Sequence, residues 1–316
     1  MSEPIYSPLA RSAMDRDYIS RKLSDLYGKL DADSNTRVLP IYDGKVLLVG
    51  SPNAIKPELR LFEADQIPTD TYVAYLGKAL AGFELAQGSA VILAVIDDEL
   101  AAALEPNPDN WHVLRRTGAG LSDLGVGLYS QALALANWHE NHQHCPKCGA
   151  ATEITNAGWV RSCPVDEMEL YPRTDPAIIV SVIDHQDRIL LGSQGIWEDN
   201  RWSILAGFVE PGESLEAAVV REMFEESGLS VVNPVYVGSQ AWPFPYSLMV
   251  GFTAKLAPQA SGELIPDGEE IEKLRWFSRE DIAREASSLL LPSRATISRA
   301  IIEHWYGGEI ISASEL

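Results

Sequence analysis

The 316-residue sequence predicts an α/β (α+β) chain: a mixed sheet between helices, preceded by a small cysteine-bearing module and a β-rich N-terminal domain. Three observations lead there. Strand-length apolar runs at Ala177–Ile183, Arg188–Gly192 and Trp202–Leu205 come just before a single helix-patterned stretch at Gly207–Leu229. The first third of the chain instead alternates short apolar runs with turn residues. Between the two, Cys145/Cys148 and Cys163/Asp166 form two chelating pairs fourteen residues apart. A chain of this length asks for two or three domains. The boundaries expected are 1–140, 141–172 and 173–316.

From the start, Ile19, Leu23, Leu26 and Leu30 recur at helical spacing and predict a short helix. Arg37–Val49 is two apolar runs around Asp43-Gly44, the strongest short hairpin signal in the chain. Its cadence returns at Ile178–Leu191, a hint of a distant internal repeat, against which stands the fact that hairpins with a polar turn resemble one another by physics alone. Thr71–Leu80 and Ser89–Ile96 read as strands, and Asp97–Leu104 as a helix. No nucleophile–base pair or phosphate loop appears here, so the domain is expected to be a scaffold. Leu124, Leu128, Ala132, Leu135 and Trp138 then mark an amphipathic helix that packs rather than reacts. His139, His142 and His144 follow it, and their position at a helix end is more that of exposed residues than of ligands.

Cys145-x-x-Cys148 and Cys163-x-x-Asp166 have the spacing of a zinc ribbon, in which two knuckles grip one tetrahedral Zn2+. Asp166 stands where a ribbon wants a fourth cysteine. It ligates through oxygen, more weakly than a thiolate, and the competing reading is a ribbon that folds without metal.

In Gly207–Leu229, Gly207 is followed after five residues by Glu213, and after seven more by Arg221-Glu222-Met223-Phe224-Glu225-Glu226. Ser214 predicts the helix start and Gly228 its end. Leu215, Val219 and Phe224 are expected to face a core, whereas Glu222 and Glu226 stack one turn apart with Glu225 alongside. Stacked like charges destabilise a bare helix, so a cation is expected there. Three carboxylates without thiolate or imidazole suit Mg2+ or Mn2+.

With Gly207, Glu213, Arg221 and Gly228 all in register, the stretch resembles the signature of the Nudix hydrolases. That resemblance implies a Nudix α/β/α sandwich and metal-assisted attack of water on a nucleoside diphosphate. Downstream, Ser239-Gln240-Ala241-Trp242-Pro243-Phe244-Pro245-Tyr246-Ser247 resembles the mark of the NADH pyrophosphatase (NAD+ diphosphatase) branch, departing at Ala241, where the branch has Pro. Prolines stiffen such a stretch, and rings held this way can wall a flat ligand while Gln240 and Ser247 offer polar contacts. The competing reading is an ordinary buried aromatic turn.

The resemblance implies metal ligation by Glu222, Glu225, Glu226, the Ala206 carbonyl and Glu270, with Glu269 and Glu272 as rivals of the last. It further implies a substrate pocket using Phe208, Tyr171 contributed across a homodimer, and Ser298. Arg221 is expected to orient the box glutamates, Glu213 to support the loop, and Glu225 or Glu226 to take the proton from water. The implied reaction converts NADH or NAD+ to AMP and the nicotinamide mononucleotide. Two other functions compete: removal of an NAD cap from the 5′ end of RNA, and non-catalytic NAD sensing, for which loss of the glutamates would be expected.

A net charge of −20 argues against a surface built to track polyanions, and the Arg115-Arg116 pair stands isolated. Only three cysteines occur, no apolar leader opens the chain, and no run reaches membrane-spanning length. The expectation is a soluble cytoplasmic protein with no membrane partner.

Overall fold

The computed structural model describes residues 5–50 and 56–315. Its contacts divide the chain into two compact units: Met1–Pro8, Asp175–Ala241 and Ser247–Leu316 form one, Leu9–Thr174 and Trp242–Tyr246 the other. The cysteine module thus shares a unit with the N-terminal region.

The first of these units is an α/β/α sandwich. Its sheet runs in the order Val231–Trp242, Ser247–Leu256, Asp175–Ile183, Ile189–Ser193, Lys273–Phe277, with Leu205–Phe208 added beside Asp175–Ile183. The strand Asp175–Ile183 pairs in parallel with Ser247–Leu256 and antiparallel with Leu205–Phe208, which makes the sheet mixed. Alternation on this strand divides two cores. Ile178, Val180 and Val182 face the helix Leu215–Ser227, packing with Ala218, Val219 and Met223. Ile179 faces the other way, toward Ile297, Ile301 and Ile302 of the helix Ile297–Tyr306. A strand buried on both faces is continuously apolar for this reason, and each such side chain contributes about 1.5–3 kcal/mol of burial.

In the second unit, Met14–Asp15, Tyr72–Ala79, Ala90–Val95, Arg37–Ile41 and Phe62–Glu63 form a five-stranded sheet in that order. Asp43 and Gly44 adopt positive φ (49° and 69°), as a two-residue hairpin turn requires. Beyond Tyr42 and Lys45, however, the two flanking strands part. Arg37–Ile41 joins the five-stranded sheet, whereas Lys45–Val49 pairs with Glu58–Leu59 and Trp111–Val113. The turn was legible locally; the sheet partners of the two strands were not, although Val38 of one and Leu47 of the other share a core. The helix Asp123–Asn141 starts at Ser122, whose Oγ accepts from Gly125 N at 3.0 Å, and is buried along nearly its whole length. The ribbon sheet, Glu169–Leu170, Val160–Ser162 and Glu153–Thr155, is antiparallel throughout.

Two local expectations are corrected. The helix over Ile19–Leu30 is reduced to a single 3-10 turn at Ser20–Lys22 and an α-helix at Leu26–Asp31; Ile19 and Leu23 are exposed while Leu26 and Leu30 are buried. Only the second half of that periodic run has a core to meet. Phe224 is 60% exposed, because Met223, one position earlier, already fills the core face.

Candidate active site

The helix Leu215–Ser227 is delimited as its sequence dictates. Ser214 Oγ accepts from Ala217 N at 3.1 Å, a cap contributing about 1 kcal/mol. At the far end Gly228 takes φ 71° and its N–H closes on Phe224 O at 2.8 Å. With Ala218, Val219 and Met223 pinned to the sheet, the turns carrying Arg221, Glu222 and Glu225 project from the core.

Arg221 is the hub. Its Nε and Nη2 grip Glu213 in a bidentate pair at 2.8 and 2.9 Å, and its Nη1 donates to Glu222 Oε1 at 2.9 Å and to Glu225 Oε2 at 2.8 Å. Nη2 also donates to Phe208 O at 3.0 Å, tying the helix to the end of the strand Leu205–Phe208. These charge-assisted bonds hold the Glu213 carboxylate below its ordinary range. Glu213 Oε2 in turn accepts from Glu210 N at 3.1 Å, which secures the loop before the helix.

Glu226 sits differently. It is 5% exposed, and its Oε2 is buried without a hydrogen-bond partner. Burial, and then the charges of Glu222, Glu270, Asp267 and Glu225, push its pKa up to about 8. Burial also raises Glu222, against the pull of Arg221. Gly207, opposite Ile178 in the sheet, leaves room for this cluster: a Cβ there would lie 2.0 Å from the Glu222 carboxyl carbon. A crowded acidic patch with an orphaned buried oxygen, built only from oxygen donors, fits a hard divalent cation. Ala206, whose carbonyl is the backbone candidate, precedes Gly207 in the same strand. The carboxylates are not drawn into one tight cage. Among the described residues, the only group of three or more side chains gathered closely enough to share one ion lies in the ribbon, its ligand atoms within 4.8 Å of one another.

Glu270 is exposed, and its position is set by Asp267, whose role the motif does not reveal. Asp267 Oδ1 accepts from Glu269 N (3.2 Å) and Ile271 N (2.8 Å), and its Oδ2 from Glu270 N (3.3 Å). This caps the turn before Lys273–Phe277. Asp followed by Gly at a turn was the available signal. Of the rivals, Glu272 donates its N–H to Ser193 O at 2.9 Å, and Asp267 joins Glu270 among the charges acting on Glu226.

The remaining expected residues fall in different surroundings. In the sandwich unit, Phe208 and Ala241 are exposed and Ser247 is half-buried. Gln240 and Ser298 are instead buried: Gln240 Nε2 donates to Ala295 O at 3.0 Å, and Ser298 Oγ lies 2.9 Å from Ser203 Oγ. Both contacts lie at the start of the helix Ile297–Tyr306. In the other unit, Tyr171 is exposed and its hydroxyl donates to Glu169. Trp242 and Phe244 meet edge to face, ring centroids 4.8 Å apart. Pro243 is buried, Pro245 exposed, and Tyr246 lies edge-on to His142 at 5.9 Å.

In the ribbon, one ligand atom from each of Cys145, Cys148, Cys163 and Asp166 lies within 4.8 Å of the others. Cys145 Sγ is 3.4 Å from Asp166 Oδ2, and Cys148 Sγ is 3.5 Å from Cys163 Sγ. Asp166 therefore reaches the thiols, and the Met168 amide, donating to its Oδ1 at 3.0 Å, helps keep it ionised. His139 stands apart from this group. It is buried, its Nε2 directed to Gly158 O at 2.8 Å and its Nδ1 to Arg161 Nη1 at 3.0 Å. These partners assign the neutral ring with the proton on Nε2. Of the three histidines expected to be exposed, only His144 is fully so.

Comparison with known proteins carries the assignment further. Residues 172–300 match the NUDIX domain, which makes the sandwich with its glutamate helix a Nudix domain. Residues 140–171 match the NADH pyrophosphatase zinc ribbon domain. The chain is 37% identical over 286 residues to the NAD-capped RNA hydrolase NudC of Mycobacterium tuberculosis, covering 87% of this chain and 85% of that protein. It is 39% identical over 201 residues to the human NAD-capped RNA hydrolase NUDT12, covering 58% of this chain and 42% of that one. A crystal structure of a NUDIX hydrolase from Nitrosomonas europaea aligns with TM-score 0.41 at 21% identity, covering 54% of this chain and 96% of that chain. The chain belongs to the Nudix hydrolases, in the branch that joins this domain to the NADH pyrophosphatase zinc ribbon.

Proposed function

We propose that this protein hydrolyses the diphosphate of NADH or NAD+ to AMP and the nicotinamide mononucleotide. The observation that carries the reading is the acidic cluster of Glu222, Glu226 and Glu270, in which Arg221 pairs with Glu222 while the buried Glu226 Oε2 has no hydrogen-bond partner, and which Arg221, Gly207 and Asp267 hold in place. Such a cluster is unfavourable unless a cation and an anionic substrate complete it.

Glu222, Glu225, Glu226, Glu270 and the Ala206 carbonyl would hold Mg2+ or Mn2+. When bound, the metal supplies positive charge to the diphosphate and makes the attacking water more acidic. Glu225 or Glu226 takes the proton from that water as its oxygen attacks phosphorus and the bridging P–O bond breaks. Arg221 keeps Glu222 and Glu225 aimed while Glu213 neutralises it from behind. The aromatic tip, Trp242 and Phe244, takes the nicotinamide ring. Tyr171, exposed in one copy, is read as shared with the substrate of a second copy in a homodimer. The ribbon holds one structural Zn2+ through its three thiolates and Asp166. Among the described residues no helix is long and apolar enough to cross a membrane. A cytoplasmic location is part of the same proposal.

A second reading, removal of the NAD cap from RNA, is favoured by the relatives, which are NAD-capped RNA hydrolases. It uses the same groups on the same diphosphate. Incubation with NADH, NAD+, ADP-ribose and NAD-capped RNA in Mg2+ or Mn2+, followed by product identification, tests both. The expected product from the dinucleotides is AMP with the mononucleotide. Absence of cleavage of every substrate in either metal overturns the proposal, and a strong preference for capped RNA selects the second reading.

A further inference from the structure

The five residues Trp242–Tyr246 are gripped by side chains from elsewhere in their own unit. The Arg115 guanidinium lies over two rings at once, 5.0 Å from the Trp242 centroid and 4.2 Å from that of Phe244. Both distances are within cation–π range. Arg115 makes no ion pair among the described residues, in a chain with 45 acidic side chains. Its short helix, Leu114–Thr117, is anchored by the buried Leu114 and Thr117, so the guanidinium is presented from a fixed base. Asn137, on the helix Asp123–Asn141, donates from Nδ2 to Pro243 O and to Pro245 O, each at 3.0 Å, and so spans Phe244 on its two sides. Asn137 O in turn accepts from Asn141 Nδ2 at 2.8 Å. Arg173, 5.6 Å from the Tyr246 ring, closes the far end.

Two rings set edge to face need something to hold their angle, since either can turn about its own side-chain torsions. A cation over both faces and a clamp on the flanking carbonyls do this without covering the tip in apolar packing. Trp242 and Phe244 each remain partly open to solvent.

We infer that Arg115 and Asn137 are positioning residues that hold the Trp242–Phe244 pair in the geometry selecting substrates with a flat nicotinamide ring. The inference rests on the reading above that this tip takes the nicotinamide. Contacts that served only to fold the hairpin tip would affect every substrate alike, whereas a positioning role falls on the ring-bearing substrate.

The test measures kcat and KM for NADH and for ADP-ribose, which lacks nicotinamide, on Arg115→Met, Arg115→Lys, Asn137→Ala and Trp242→Ala. Loss of the cation–π contacts in Arg115→Met is expected to raise KM for NADH by about 2- to 30-fold, the measured cation–π range converted at a tenfold change per 1.4 kcal/mol. KM for ADP-ribose should stay within about twofold, and kcat for both should be preserved. Arg115→Lys, which keeps a cation, should recover part of the NADH affinity; Asn137→Ala should act in the same direction as Arg115→Met. Equal effects of Arg115→Met on both substrates, or none on either, overturn the inference, and if that variant does not fold the same criterion is applied to Asn137→Ala. Trp242→Ala separates the two levels. If it is selective for NADH while the Arg115 variants are not, this inference alone fails; if it is itself unselective, the nicotinamide reading of the tip fails.

Discussion

The Glu222 carboxylate lies where the side chain of any residue other than glycine at position 207 would have to be, a Cβ there falling 2.0 Å from its carboxyl carbon. The strand Leu205–Phe208 and the helix Leu215–Ser227 therefore meet through an absent side chain. Because the displaced atoms are the end of a flexible side chain, Gly207→Ala should fold normally and push Glu222 aside. We expect kcat to fall at least tenfold, about 1.4 kcal/mol, with a thermal midpoint close to that of the parent. Unchanged turnover would show that Glu222 acts from a different position.

Glu226→Gln keeps the shape of the buried side chain while removing its charge. Turnover should drop a hundredfold or more, equivalent to roughly 3 kcal/mol of transition-state stabilisation. Folding should be intact, because the buried carboxylate is itself a cost to the metal-free protein. Near-normal turnover at saturating Mg2+ would remove Glu226 from the set of ligands and bases.

Asp267→Ala removes three backbone hydrogen bonds and frees the turn that carries Glu270. The concentration of Mg2+ needed for half-maximal rate should rise by roughly tenfold, the scale on which supporting groups tune a metal site. Asp267→Asn, which keeps a capping oxygen, should show a smaller rise. A metal titration that does not move in Asp267→Ala would detach Glu270 from the metal.

Asp166 stands with three thiols in a group whose ligand atoms lie within 4.8 Å. Protein purified without added zinc should carry about one equivalent by elemental analysis; less than about a tenth would mean that the ribbon folds empty. Asp166→Cys should bind zinc more tightly and resist chelators. An unchanged chelator response would show that position 166 does not reach the ion.

Burial, with the charge of Arg161 adding to it, lowers the His139 pKa to about 4 from an ordinary value of 6.5. Between these values the unfolded chain binds a proton that the folded chain does not. The contribution of His139 is thus fully present above about pH 6.5 and is lost as pH falls toward 4, by up to about 1.4 kcal/mol per pH unit. Urea midpoints at pH 7.5 and pH 5 should converge in His139→Gln relative to the parent. Equal acid sensitivity in the two proteins would assign the loss to other groups.

The sequence alone determined the features that rest on local spacing. Ser214 and Gly228 bound the glutamate helix because a cap and a left-handed residue act within one turn. Asp43-Gly44 makes its turn by backbone preference alone. The apolar run Ala177–Ile183 marks a strand, whose division between two cores appears only in the fold. The two-residue spacing within each of the pairs Cys145/Cys148 and Cys163/Asp166 is local in the same sense, whereas the pairing of Glu153–Thr155 with Val160–Ser162 brings the pairs together. Tertiary structure decided everything that depends on what lies across the chain. It parted the strands on either side of Asp43-Gly44 into separate sheets, and it turned Gln240 and Ser298 inward. It also gave Arg115, an isolated basic residue in the sequence, two aromatic faces more than a hundred positions away. Backbone preferences extend over a few residues, whereas burial and charge pairing act between surfaces that exist only once the chain has folded.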